Sequence, residues 1–490
     1  MFLGLDLGTS SLKALVIDEN GNTIISASSP LSVSQPKPLH SEQDPSDWIN
    51  ALHSVMHELS NHACIKNIVA IGLSGQMHGA VLLDKYGHVL RPAILWNDGR
   101  SEIECKELEN KVETSREITG NLMMPGFTAP KLLWVKKHEP EIFEQIDKVL
   151  LPKDYMRFVL SGVFASDMSD ASGTMWINTK NRDWDEVLLS ATGLTKSHMP
   201  KLFEGNQITG HLLPDLTTKW NMTNKVSIVA GGGDNAAGAI GVGITKKGQG
   251  MLSLGTSGVY FVVSDHYTAA PEQAVHSFCH ALPDTWHLMS VILSAASSVD
   301  WFCNSIAKKP VSELFTELEN ANKHEPVNSS VFFLPYLSGE RTPHNDSLAK
   351  GVFFGLTHTT TQLDMFKAVL EGVSFALADG VHALHDTGVQ ANEINIIGGG
   401  AQSAYWRQLI ADILNQSIIY RSGSETGPAL GAARLAMQAV TDNAKYEDIY
   451  KAPTITQIHE ANTATHQIYK KKHETFRKLY SQLKPLFKDL

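Results

Sequence analysis

Asp234 is the first residue whose setting suggests chemistry. It follows Gly231-Gly232-Gly233 at the end of an apolar run, Val226-Ser-Ile-Val-Ala230, and Asn235 stands beside it. A carboxylate at a strand tip facing a cleft can accept a proton from a substrate hydroxyl. The start of a helix suits an N-cap aspartate equally, and the residue types leave both readings open. Asp6 is the second acidic candidate, in Leu5-Asp6-Leu7-Gly8-Thr9-Ser10. Here a strand runs into a tight turn whose backbone amides and small hydroxyls can cradle phosphate oxygens. Its carboxylate can hold a hydrated Mg2+ ion, with Lys13 nearby.

One Gly-Thr-Ser turn is a weak signal, but this one has an echo. Residues 252–257 read Leu-Ser-Leu-Gly255-Thr256-Ser257, 247 residues further on and close to half of the chain's 490. Five of the six positions match. A repeat of this period is far too long for a solenoid and points to two similar lobes. A polyphosphate chain fits between two facing turns of this kind. Aligned by the echo, Asp6 becomes Ser253 and Lys13 becomes Tyr260, so only the first copy supplies a carboxylate and a lysine.

Three further segments carry polar chemistry. Ile396-Ile397-Gly398-Gly399-Gly400-Ala401 ends a strand and opens a helix at Ser403-Ala404-Tyr405-Trp406. Glycines there permit close backbone approach to a flat ligand or a phosphate, and a packing turn explains them as well. Gly75-Gln76-Met77-His78-Gly79 suits recognition of a polyhydroxy ligand. Trp96-Asn97-Asp98-Gly99-Arg100 has the composition of a sugar contact, or of a turn carrying a salt bridge. The 21 histidines show no H-E-x-x-H spacing, which argues against a metalloprotease-type zinc site. Neither a Walker P-loop nor a Gly-x-Ser-x-Gly elbow occurs.

The elements that must hold these residues can be sketched from periodicity. Phe2–Leu7, Leu12–Asp18 and Thr23–Ser28 read as strands, the latter two joined at Asn20-Gly21 by a two-residue hairpin signal. Asp44-Pro45 supplies an N-cap and a first-turn proline for a helix with Trp48, Leu52, Val55, Met56 and Leu59 on one face. Ile68–Leu73 and Ala80–Leu83 are the next strands. The β-β-β-α-β order predicts a mixed sheet with helices on its faces. From about 101 to 225 the pattern is mostly helical. Ala236–Gly243 and Ala429–Ala436, the latter after Thr426-Gly427-Pro428, are nearly all small residues and predict two crossing helices at a hinge. A last helix around 466–484 shows Phe476, Leu479, Tyr480 and Leu483 on one face, as a structural cap.

Composition sets the frame. A chain of 490 residues predicts more than one domain. Hydrophobic residues at 42% and charged residues at 19% exclude a disordered chain. A net charge of −10, with no basic stripe, argues against a polyanion-binding protein; it leaves open a small phosphorylated ligand held by backbone amides. Cys64, Cys105, Cys279 and Cys303 form no C-x-x-C pair, which suggests a reducing compartment. The start has no basic n-region and no run of 18 apolar residues occurs, so the expectation is a cytoplasmic globular protein without a membrane span.

Together these residues resemble the FGGY carbohydrate kinase family, within the actin and hexokinase superfamily. Gly126-Phe-Thr-Ala-Pro-Lys131-Leu-Leu-Trp134 looks like its first signature; Gly351-Val-Phe-Phe-Gly355-Leu, with Asp364 to Glu371, looks like its second. The resemblance covers essentially the whole chain. Within the family, Gln76–Gly79, Trp96–Arg100 and Gly339-Glu340-Arg341-Thr342-Pro343 are similar to the branch acting on D-xylulose.

The resemblance implies an α/β fold of two actin-like (ribonuclease H-like) lobes, with mixed sheets flanked by helices and the active site in the cleft between them. The lobes would be 1–244, binding sugar, and 245–490, binding nucleotide and closed by C-terminal helices. It implies transfer of phosphate from ATP, with Mg2+, to D-xylulose. Another pentulose such as L-xylulose or ribulose, or a non-catalytic sugar sensor, are the alternatives. Asp234 would be the base and Asp6 would act through the metal by way of water. Met77, His78, Asn235, Trp96 and Asp98 would contact sugar. Gly8, Thr9, Ser10, Lys13, Gly255, Thr256, Ser257, Gly399 and Gly400 would hold nucleotide. The role of Arg341 stays unassigned. A homodimer is a further expectation of the resemblance.

Overall fold

The computed structural model describes residues 1–324, 330–421, 427–441 and 445–489. Among them, two seven-stranded sheets dominate. The first holds β1 (Phe2–Leu7), β2 (Ser11–Ile17), β3 (Thr23–Pro30), β4 (Ala70–Gly75), β5 (Ile208–His211), β6 (Ser227–Val229) and β7 (Gly232–Gly233). Its order is β5-β6-β4-β1-β2-β3, with β7 beside the end of β4. The second holds β8 (Gln249–Leu254), β9 (Gly258–Ser264), β10 (His276–Cys279), β11 (Trp286–Ile292), β12 (Glu393–Ile397), β13 (Ile418–Arg421) and β14 (Ile455–His459), ordered β10-β11-β9-β8-β12-β13-β14.

Read outward from β1 and β8, the sheets have one plan. An antiparallel meander lies on one side, β1-β2-β3 or β8-β9-β11. Two parallel strands lie on the other, β4 and β6 or β12 and β13, and an antiparallel edge closes each sheet. The repeated hexapeptide therefore occupies the same place twice, at the β1–β2 and β8–β9 turns. The second sheet adds β10 at its edge.

The ladder corrects part of the alignment. Leu7 pairs with Leu12, leaving residues 8–11 in the first turn, whereas Leu254 pairs with Gly258, leaving only 255–257. Gly8 N–H accordingly closes on Ser11 O at 3.0 Å, and Gly255 N–H on Ser257 O at 3.1 Å. With the second turn one residue shorter, the partner of Asp6 is Lys13, but that of Ser253 is Val259, not Tyr260.

Two other local expectations shift. The β2–β3 connection spans residues 18–22, because the Asp18 carboxylate caps it, accepting from Asn20 N–H and Asn22 N–H at 2.9 and 2.8 Å. Val81–Leu83 leaves the main sheet to pair with Lys148–Leu150, a short strand inside the region read as mostly helical.

The helices that matter to the site are α1 (Pro45–Ser60), α2 (Thr128–His138), α3 (Pro152–Ser161), α4 (Asp234–Gly241), α5 (Gln362–His385), α6 (Ala404–Leu414), α7 (Gly427–Val440) and α8 (Thr463–Leu483). Helix α1 begins as the sequence predicts, with Asp44 accepting from Ser46 N–H and Pro45 in the first turn, and it buries Trp48, Leu52, Val55, Met56 and Leu59. Helix α8 buries Tyr469, His473, Phe476 and Tyr480, while Leu479 and Leu483 are only partly covered. His473 stacks on Phe375 of α5 at 5.2 Å and donates to Asp379, which also pairs with Arg477.

Helices α4 and α7 pack backbone to backbone. A Cβ at Gly431 would lie 1.8 Å from Ala237 O, and one at Gly241 1.9 Å from Gly427 O. Thr426, named with this stretch, lies outside the described residues. On its other side α7 rests on the first sheet: a Cβ at Gly4 would meet Ala429 O at 1.9 Å, and one at Gly72 would meet Ala432 O at the same distance. Ala236 and Ile240 of α4 join the core around Phe2, Leu15 and Ala70, and Ala239 joins the one around Met251, Phe261 and Val263. Helix α4, which starts at Asp234, thus touches the cores of both sheets. No helix among the described residues is long and apolar enough to cross a membrane.

Candidate active site between the two sheets

Asp234 sits where the first sheet gives way to α4, and its backbone is fixed from behind. Arg157, fully buried on α3, donates to Ala230 O. Gly231 N–H donates to Gly205 O at 2.8 Å, and Gly233 N–H to Ser169 Oγ at 3.0 Å. The Ser169 hydroxyl in turn donates to Asp167, which Lys153 Nζ meets at 2.8 Å. Gly231 takes φ +77°, and a Cβ there would lie 1.8 Å from Leu73 O, so only glycine fits. The three glycines are what bring the carboxylate to the cleft.

A cavity of about 290 Å³ opens in front of Asp234, lined from the first half by Met77, His78, Trp96, Asp234 and Asn235. The second half lines it with Ser253, Gly255, Ser257, His276, Phe278 and Arg341, among others. Asn235 donates to Asp234 Oδ1 through its backbone N–H at 2.7 Å and its amide at 2.9 Å. Burial pushes the Asp234 carboxyl up to about 7, and the nearby negative charge of Asp6 adds to the rise. Asp6 itself is raised to about 6 by burial, opposed by the charge of Lys13. A carboxyl poised near neutral pH and reaching a cavity is suited to proton transfer.

His78 takes a left-handed φ of 68°, which the surroundings enforce. Its carbonyl accepts from Lys131 Nζ at 2.9 Å and Thr128 Oγ1 at 3.2 Å, both on α2. Its Nδ1 donates to Gly173 O at 2.7 Å, and its ring packs edge-on to Phe127 at 4.9 Å. Burial lowers His78 to about 3, so the ring is neutral and the tautomer set by Gly173 leaves Nε2 as an acceptor. Burial likewise lowers Lys131 to about 7. The segment Gly126–Lys131 thus shapes the His78 loop from the far side.

A second cavity, of about 1010 Å³, adjoins the first at Gly255. Thr256, Asp300, Phe315, Gly399, Gly400 and Trp406 help to line it. Gly398 takes φ +94°, and a Cβ there would strike Leu254 O at 2.6 Å; Gly399 faces open space. The Gly255–Ser257 turn is therefore the wall between the two cavities.

The structure brings most of the sequence-derived residues together and sets some apart. Asp6, Gly8, Thr9, Ser10 and Lys13 do not line either cavity. Thr9 lies behind Trp96, whose indole N–H donates to Thr9 Oγ1 at 2.9 Å; Thr9 donates on to Gln76 at 3.1 Å, and Gln76 to Gln43 at 2.8 Å. Gln76 is thus a buried brace for the first turn. Asp98 is a correction: it is 2% exposed and does not reach the cavity. Arg100 binds both of its oxygens, at 2.9 and 2.7 Å, and Ser41 N–H adds a bond at 2.6 Å. The turn-with-salt-bridge reading holds for Asp98, while Trp96 keeps a cavity wall. His276, Phe278 and Arg341 also line the cavity, which their residue types alone do not announce. The alternation His276-Ser277-Phe278 on one strand is the signal that could have found the first two.

Residues 1–241 match the N-terminal domain of the FGGY family of carbohydrate kinases, and residues 250–440 match its C-terminal domain. The chain is 54% identical to the xylulose kinase of Escherichia coli K12 over 99% of its length and 100% of that protein's. It superimposes on the crystal structure of a xyloylose kinase from Brucella ovis with a TM-score of 0.95 at 46% identity, covering 99% of each chain. Ligand-bound xylulose kinase from Lactobacillus acidophilus gives a TM-score of 0.93 at 26% identity, again over 99% of each chain. Two sheets of one plan, a near-neutral carboxyl between them and matches over both halves lead to one conclusion: the chain belongs to the FGGY family of carbohydrate kinases.

Proposed function

We propose that the protein phosphorylates D-xylulose at the expense of ATP, giving D-xylulose 5-phosphate and ADP, as a cytoplasmic enzyme. The observation that carries the reading is the placement of Asp234 in a small cavity that meets a larger one at the Gly255-Thr256-Ser257 turn. The small cavity takes the sugar, bounded by Met77, His78, Trp96 and Asn235. The large one takes the nucleotide, with Gly399 and Gly400 at the base and the turn at the phosphates. Residues 1–244 then form the sugar-binding lobe and 245–490 the nucleotide-binding lobe. Asp234 accepts the proton of the primary hydroxyl as the hydroxyl oxygen attacks the terminal phosphorus. His78 Nε2 accepts a hydrogen bond from a sugar hydroxyl and fixes its direction. Phosphoryl transfer depends mainly on positioning and charge neutralisation, so this arrangement suffices without a covalent intermediate.

Asp6 is the residue placed to hold Mg2+ through water. Its Oδ1 is buried without a hydrogen-bond partner among the described residues, which fits a carboxylate that needs a further ligand. The ion, when bound, neutralises phosphate charge; Lys13 and the amides of residues 8–10 lie on the same hairpin to assist it.

The test is an ADP-release assay with D-xylulose, L-xylulose, ribulose and glycerol. D-Xylulose should give the highest kcat/KM by at least tenfold, and equal turnover of all four would remove the assignment. The homodimer expected from the family resemblance is checked by light scattering on the same sample.

A further inference from the structure

We infer that Arg341 is a substrate-binding residue, delivering a guanidinium to the oxygens of a ketose in the cavity it shares with Asp234; this rests on the sugar-kinase reading above. Arg341 lines the small cavity together with Met77, His78, Asp234 and Asn235. Its backbone is locked to the second sheet by the neighbouring residue. Thr342 N–H donates to Val291 O at 3.0 Å, Val291 N–H to Thr342 Oγ1 at 3.1 Å, and Thr342 Oγ1 to Ala274 O at 2.9 Å.

The guanidinium itself makes no hydrogen bond or ion pair among the described residues; only its backbone N–H is used, donating to Glu340 Oε1 at 2.7 Å. Glu340 makes no ion pair with the guanidinium. The same Oε1 also accepts Leu293 N–H at 2.9 Å, and burial pushes the carboxyl up to about 8, leaving it neutral at pH 7. His78 and His276, the other basic side chains on the cavity wall, are held neutral by burial and by the Arg341 charge itself. Arg341 is thus the fixed positive charge of the sugar cavity.

The guanidinium is partly buried at the cavity wall and has no protein partner among the described residues, which leaves its donors free for a ligand's oxygens. Five N–H groups in a planar fork match two adjacent oxygens, as the carbonyl and neighbouring hydroxyl of a ketose present. Arg341 lines the small cavity and not the large one, which points to the sugar and not to the nucleotide as its partner.

The test uses the full chain with Arg341→Ala, Arg341→Gln and Arg341→Lys. In Arg341→Ala the KM for D-xylulose should rise at least tenfold while the KM for ATP stays within twofold. Calorimetric titration with D-xylulose alone should show the same loss of affinity, and added methylguanidinium should restore part of it. A sugar KM within twofold of wild type overturns the inference, as does a fall in kcat with the sugar KM unchanged, which would assign Arg341 to the phosphoryl group. If Arg341→Ala does not fold, the nearly isosteric Arg341→Gln and Arg341→Lys are judged by the same ratio. A wild-type enzyme without sugar-dependent ADP release would remove the sugar-kinase reading and this inference with it. An active wild type with an unaffected Arg341→Ala removes the inference alone.

Discussion

The two Gly-Thr-Ser turns share five of six residues and one position in their sheets, yet they are built for different work. The first spans four residues and follows Asp6, a buried acid facing Lys13 across the ladder. Trp96, Gln76 and Gln43 brace it from behind. The second spans three residues, follows Ser253, and walls off one cavity from the other. Two acids on facing turns would repel a polyphosphate at close range. Keeping the acid on one turn and bare amides on the other turns a duplicated scaffold into an asymmetric site.

Substitutions can break this comparison or sharpen it. The largest effect is expected at Asp234, the base between the turns. Asp234→Ala should lower kcat by on the order of 10²–10⁴-fold with an unchanged circular dichroism spectrum. A variant that keeps more than a few per cent of the rate, at roughly the upper limit this role allows, would take the base role from it.

The turns themselves come next. Asp6→Asn should cost on the order of 10²-fold in kcat and weaken the Mg2+ dependence, whereas Ser253→Ala should cost only a few-fold. Similar losses at both positions would mean that the turns are equivalent after all.

The pH profile reads the Asp6–Asp234 pair directly. With Asp234 at about 7, kcat/KM should rise with pH through about 7 and level off above it, since the base acts deprotonated. Residual activity of Asp6→Asn should show this limb at lower pH, because the neighbouring charge that helps to raise Asp234 is gone. An unmoved limb would uncouple the two. Stability runs the other way. The folded state holds this proton up to about pH 7 while the unfolded chain releases it near 4, so the carboxyl lowers stability as pH rises between those values. Asp234→Asn should therefore raise the Tm at pH 8 and not at pH 4.

The smallest contrast is steric. A Cβ at Gly8 would sit 3.2 Å from Ser11 O, but one at Gly255 only 3.6 Å from Ser257 O, an ordinary contact. Gly8→Ala should lower the Tm by a degree or two, about 1 kcal/mol. Gly255→Ala should leave the Tm unchanged and instead raise the KM for ATP a few-fold.

What could be read in the sequence was mostly local. The β1–β3 meander, the Asp44-Pro45 start of α1 and the helix opened by Ser403 all follow from neighbours a few residues apart. The hexapeptide echo was legible because duplication leaves its trace at fixed spacing. What escaped depends on distant partners. Asp98 has the composition of a sugar contact as much as of a turn salt-bridged to Arg100, and what decides between them is the fold, which brings Ser41 from 57 residues away to bind it. Nothing near Lys131 reveals that its ammonium supports the His78 carbonyl 53 residues earlier. Arg341 belongs to a loop whose use is clear only when that loop is seen to share a cavity with Asp234.

Helix α7 has a consequence for how the molecule is made. It is among the last elements synthesised, yet its Ala429 and Ala432 carbonyls close over Gly4 and Gly72, among the first sheet's earliest residues. Until residue 440 has left the ribosome, the strand floor at Gly4 and Gly72 has no cover. The two halves are therefore not separable goods: a chain ended at 241 would carry a sheet with an uncovered seam, and the order of synthesis differs from the order of packing.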